Sequence, residues 1–146
     1  MADLADFHRV AGGDQHLCLV ATPCADGTVQ ASLVNAGVMR HPVRADDAVV
    51  FVARGGTHKL AHMRARPIVT VVARSGWEWV AVEGAIELIG PDDPFPGVDA
   101  ERLRLLLRES FVAAGGTHDD WETYDRVMAE DRRTVVLVTP ARVYSN

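Results

Sequence analysis

The chain has 146 residues and a net charge of −5, with 48% apolar and 24% charged side chains. This is an ordinary globular composition for one domain with a substantial core. No apolar run approaches the roughly 20 residues that span a bilayer. The opening MADLADFHRV lacks the basic start and apolar stretch of a signal peptide, so a cytoplasmic protein is expected. Two cysteines, Cys18 and Cys24, make no disulfide framework, and their spacing suits neither a zinc knuckle nor a redox pair.

Residues 3–11 place Leu4, Phe7 and Val10 or Ala11 on one face of a short helix. HLCLVAT (16–22) reads as a strand with Cys18 in the core. TVQASLV (28–34) follows across an Asp26-Gly27 turn, a hairpin signal. AVVFVAR (48–54) is a short buried strand, and a helix at about 57–65 ends before Pro67. PIVTVVAR (67–74) and WEWVAVEGAIELIG (77–90) are further strands, with Gly84 marking a bulge or bend. After the PDDPFPG loop come two helices, 99–114 and 119–131, and TVVLVTPARVYSN (134–146) closes the chain as a strand. Six strands with a bend and few helices predict a mainly β, α+β fold: a small closed antiparallel barrel in a single domain, 1–146. The helix pair is expected as an insertion packed outside it.

Charge is unevenly placed. Residues 27–77 hold seven bases and two acids, a balance of +5, while the remainder holds eight bases and eighteen acids, a balance of −10. Such a block recruits an anion. One stacking aromatic, Trp77, is too few for a nucleic-acid surface. Lys59 is the only lysine against fourteen arginines, and it falls in ARGGTHKLAHMRARP (53–67).

Gly-Gly-Thr-His occurs twice, at 55–58 and 115–118. The second copy leads into Asp119 and Asp120, with Thr117 and Asp120 spaced as a capping box, and acids suit the positive end of a helix. The first leads into Lys59, the unfavourable sign at that end. An anion held by backbone amides, the Thr57 hydroxyl and the Lys59 ammonium resolves the conflict. A solvated basic helix remains the plainer reading. His58 and His62 lie four apart, but no carboxylate stands near and the cations around them oppose a divalent metal.

The order DGTVQASLV, AVVFVAR, GTHKLAHMRARPIVTVVAR, WVAVEGAIEL resembles the pyridoxamine 5′-phosphate oxidase-like split β-barrel family, and within it the actinobacterial deazaflavin (coenzyme F420)-dependent branch. The resemblance covers residues 16 to about 90 and implies a six-stranded antiparallel split barrel. It further implies a homodimer with two cofactor sites at the subunit interface, neither nucleic acid nor membrane as partner, and a small-molecule substrate. The cofactor phosphate would sit on Thr57, His58 and Lys59, with Arg54 assisting, and Ser32, Val34 and Asn35 would run beside the ring. Trp77 or Trp79 would reach the ring or substrate from the partner. F420 is the expected cofactor, with FMN as the alternative. A non-catalytic carrier of a flavin, F420 or a tetrapyrrole is the reading from another class. Many relatives carry Ser-Pro-Val-Trp where this chain reads Ser32-Leu33-Val34-Asn35, and His58 replaces a common arginine. No catalytic side chain is assigned; a bound water or a histidine such as His41 is the candidate proton donor.

Overall fold

A computed structural model describes all 146 residues. Helix α1 (Leu4–Gly12) opens with a reciprocal capping box between Asp3 and Asp6 and buries Phe7, Val10 and Ala11. Strands β1 (Leu17–Pro23) and β2 (Val29–Asn35) form the expected hairpin, with Leu19 opposite Leu33. Asp26 shapes its turn by accepting the Thr28 amide at 3.0 Å. Then follow β3 (Gly37–Arg40), β4 (Asp47–Ala53), α2 (His58–Ala65), β5 (Ile68–Ser75), β6 (Glu78–Ile89), α3 (Ala100–Ala113), α4 (Trp121–Glu130) and β7 (Thr134–Ser145).

All neighbours in the sheet are antiparallel, in the order β2-β1-β5-β6-β7-β4-β3. The sheet therefore has seven strands and is not closed, which corrects the expectation of a closed six-stranded barrel. The extra strand, β3, is only four residues long, and no turn residue separates it from β2. One buried residue, Ala36, carries the chain from β2 at one sheet edge to β3 at the other. A single intervening residue lets the two strand ends lie at most about 7 Å apart, so the sheet must curl until its two edges meet at that corner. No ladder joins them elsewhere, and the unpaired seam between β2 and β4 is where the site lies. Gly84 supplies part of the curl: the β6–β7 register shifts between Glu83 and Gly84.

The curl creates two cores. Inside it, Cys18, Val20, Val49, Phe51, Val71, Val82, Val136 and Val138 pack with Phe7 and Val10 of α1. Burial pushes the Cys18 thiol up to about 12, so it is a packing group. Outside, Ala48, Val50, Val135 and Leu137 meet Leu106 and Leu107 of α3 and Tyr124 of α4. Strands β4 and β7 are thus covered on both faces, which explains their continuous apolar runs. Asp125 of α4 holds the helix pair together through Arg108 Nε (2.9 Å) and Arg104 Nη1 (2.9 Å) of α3. Helix α4 starts later than expected. Its cap is Asp120, which accepts the Thr123 amide at 3.2 Å, because the His118 ring has turned into the Phe111–Trp121–Tyr124 cluster. The Thr117 capping box is therefore absent. No helix is long and apolar enough to cross a membrane.

Candidate functional site

A cleft of about 850 Å³ runs along the seam. One wall is the end of β2 (Leu33, Val34, Asn35), and another is the end of β4 (Val52, Ala53) leading through Arg54 and Thr57 to Lys59 of α2. The third wall comes from the α3–α4 insert and its Gly115-Gly116 turn, with Arg133 beyond it. The lining includes Arg54, Lys59, Arg133 and His16, and no carboxylate.

Lys59 is half-buried, and its Nζ donates to the Ser32 hydroxyl at 3.2 Å without meeting any carboxylate. Burial first, and the Arg133 guanidinium second, hold its ammonium below the ordinary lysine range. Both causes oppose the charged form, so a bound anion would relieve each of them. Arg133 and Arg54 instead share Asp131, at 3.2 and 3.7 Å. Lys59 is the uncommitted cation of the cleft.

The structure brings five of the eight proposed site residues together: Lys59, Thr57, Arg54, Val34 and Asn35 all line the cleft. Ser32 stands behind Lys59 as its hydrogen-bond acceptor. His58 is exposed and is not part of the lining, and Trp77, 94% exposed at the β5–β6 turn, also lies outside it. The Thr57 hydroxyl was expected to donate to an anion, but it caps α2 and is engaged: it donates to Arg54 O at 3.1 Å and accepts the Leu60 amide at 3.4 Å. The free donors at this helix start are therefore the first backbone amides, which have no partner one turn back.

Asn35 donates its amide to Gln15 O at 3.0 Å and so holds the turn before β1. His41 is 3% exposed and away from the cleft. Its Nδ1 accepts the Val43 and Arg44 amides, both at 3.1 Å, and its Nε2 meets Glu87 at 3.1 Å. It anchors a loop and offers nothing to a ligand. His62 contacts Cys24 Sγ (3.8 Å) and Arg66 (3.2 Å) on another side of α2.

Sequence reasoning did not find Gln15, His16, Phe111, Tyr124, Met128 or Arg133. One signal was available. The second Gly-Gly-Thr-His supplies Gly115 and Gly116 to the wall facing the first copy's Thr57, so the repeat marks two sides of one cleft. The wall itself is apolar and inert. The Tyr124 hydroxyl donates to Leu107 O at 2.8 Å, and burial pushes it up to about 12. The Ser110 hydroxyl donates to Leu106 O at 2.7 Å.

Comparison with known proteins places the fold. A conserved hypothetical protein of Mycobacterium tuberculosis superposes with a TM-score of 0.68 at 17% identity, covering 99% of this chain and 84% of that one. A pyridoxamine 5′-phosphate oxidase-related, FMN-binding protein of Nostoc punctiforme gives 0.64 at 14% identity, with coverage of 97% and 79%. An F420 reductase gives 0.59 at 15% identity, with coverage of 89% and 90%. At these identities the likeness is one of fold. The family model described as pyridoxamine 5′-phosphate oxidase matches residues 5–146, nearly the whole chain. By that match, the chain belongs to the pyridoxamine 5′-phosphate oxidase family.

Proposed function

We propose that the seam cleft binds the phosphate of a flavin-type cofactor, and that the protein is an oxidoreductase passing hydride between coenzyme F420 and a small organic substrate. One observation carries the reading: a cationic cleft with no carboxylate in its lining, in which Lys59 is half-desolvated and unpaired. A phosphate there would meet the Lys59 ammonium and the first amides of α2, a donor set that fits it. Beside it, Val34 and Asn35 offer β2 as a surface for a flat ring. The bound cofactor supplies the hydride chemistry. The protein orients the reactants and excludes water.

Arg54 and Arg133 add charge beyond what one phosphate needs, which favours F420 with its acidic tail. FMN is the second reading, favoured because both arginines already share Asp131, leaving one free cation for one phosphate. Titrating the purified protein with FMN and with F420 separately tests the proposal, and binding of neither would sink it. Mixing the reduced cofactor with enones or quinones in stopped flow separates an enzyme from a carrier: turnover reoxidises the cofactor, and a carrier leaves it reduced.

The proposal includes a homodimer. The outer face of the β1–β2 hairpin is apolar and open: Leu19 and Leu33 are register partners, Leu33 is 70% exposed, and Leu17, Val29 and Ile68 extend the patch. Leu33 also lines the cleft, so a second copy on this face would wall its open side. Trp77, free of contacts in its own subunit's core, is the side chain available to a partner's cleft. Leu19→Glu tests the face without touching the cleft. A desolvated charge at such an interface costs several kcal/mol, so the dimer should dissociate at least about a hundredfold more readily. Sedimentation equilibrium should show the wild type as a dimer and this variant as a monomer. A monomeric wild type would remove the dimer from the proposal.

A further inference from the structure

Only three residues other than glycine have a left-handed backbone: Gln15 (φ 57°), His16 (φ 58°) and Arg132 (φ 51°). The first two are consecutive and line the cleft, and the third precedes the cleft's Arg133. Bulky residues avoid this conformation, and it persists where surrounding contacts enforce it, often at functional sites. Here the contacts are explicit. The His16 amide donates to Ala11 O at 2.8 Å, and its carbonyl accepts the Ala36 amide at 2.9 Å. Its Nδ1 lies 2.9 Å from Ala36 O, and Asn35 holds the preceding carbonyl.

A carbonyl oxygen only accepts, so Nδ1 carries the hydrogen and the neutral ring keeps its lone pair on Nε2. Nε2 makes no hydrogen bond to the protein. Gly115 (φ 85°) lets the α3–α4 turn lie against this ring edge; a Cβ there would sit 2.6 Å from His16 Cδ2. Lys59 is reserved for the phosphate in the reading above, and the remaining groups in the cleft that could move a proton are spent. The Ser110 and Tyr124 hydroxyls go to backbone carbonyls, Thr57 caps α2, and no carboxylate lines the space.

We propose that His16 is the proton-exchanging group of the cleft. This rests on the oxidoreductase reading above and adds the residue that completes it. Reduction of an activated double bond takes a hydride from the reduced flavin or deazaflavin onto one atom and needs a proton on the other. His16 in its imidazolium form gives that proton from Nε2, keeps Nδ1–H on Ala36, and regains a proton from solvent. The charged and titratable groups about it are His8 of α1, whose ring lies 5.6 Å away, Asp14 in the same turn, and the cleft cations Arg54, Lys59 and Arg133.

The test begins with ¹⁵N spectra of the imidazoles of the wild-type protein, recorded across pH, free and saturated with FMN or F420. We expect the Nδ1–H tautomer for neutral His16. Its Nε2 resonance should shift on saturation with cofactor, while Nδ1 stays protonated. In parallel, His16→Asn, which tolerates a left-handed backbone, should keep cofactor affinity within about threefold. Reoxidation of reduced cofactor by menadione should slow by about tenfold or more in this variant and lose its pH dependence. An Nε2–H tautomer for neutral His16, or an Nε2 resonance unmoved by bound cofactor, would overturn the proposal alone, as would an unchanged pH–rate profile in His16→Asn. If neither cofactor binds, the oxidoreductase reading falls and this proposal falls with it.

Discussion

Lys59→Ala should weaken cofactor binding by about 1.5–3 kcal/mol, the range of a charge-assisted hydrogen bond to an anion. In a fluorescence titration that is a rise in Kd of about 10- to 150-fold. The size follows from where the ammonium sits. It is half-buried, bonded only to the Ser32 hydroxyl, and held below its ordinary range by burial and by Arg133. Its desolvation is already met in the folded protein, so an arriving phosphate gains attraction without that cost. Arg54 makes the contrast. Its side chain is 65% exposed and shares Asp131 at 3.7 Å, so Arg54→Ala should change affinity by about 1 kcal/mol or less. Thermal unfolding of Lys59→Ala should match the wild type, since the residue anchors no core. An unchanged Kd would return the 53–67 stretch to a solvated helix face.

Gly84→Ala should damage the fold severely for so small a substitution. At the bulge Gly84 faces Val69 on one side and Pro140 on the other, and an added Cβ would overlap the Thr139 carbonyl oxygen, which is backbone and cannot rotate away. Strand β7 would have to move off β6 at the point where the sheet bends. Overpacking of this kind costs about 3 kcal/mol or more when backbone must shift. For a chain of this size, that lowers Tm by roughly 6–12 °C. Because β7 also pairs with β4, which leads into Arg54 and Lys59, cofactor affinity should fall with stability. A melting curve within about a degree of wild type would mean that β7 shifts freely and that the bend does not depend on glycine.

Much of this architecture was legible in local chemistry. Asp26-Gly27 announced the hairpin, Pro67 the end of α2, and Gly84 the bulge, because each acts on backbone within a few residues of itself. The apolar run of β4 announced a buried strand, whereas the burial of β7 on both faces emerged only from the structure. Strand β3 escaped notice because four residues beyond a single-residue corner carry no period of their own. Asp120 displaced Thr117 as the α4 cap because aromatic packing claimed His118, a choice made in three dimensions.

The site divides in the same way. Lys59 stood out from sequence alone, as the one lysine in an arginine-using chain and a cation at a helix start where acid belongs. That conflict is local, so composition and spacing exposed it. The chemistry around it was not local. Arg133, Gly115 and His16 share a cleft with Lys59 only because the sheet curls until β2 and β4 flank one seam and the α3–α4 insert covers it. The sequence by itself marked Lys59 as a cation out of place at a helix start and predicted a bent, mainly antiparallel β fold around it. The tertiary structure decided which walls enclose Lys59, which hydroxyls are already spent on carbonyls, and that one imidazole nitrogen is left free. Those outcomes depend on contacts between residues up to a hundred positions apart, which no pattern along the chain encodes.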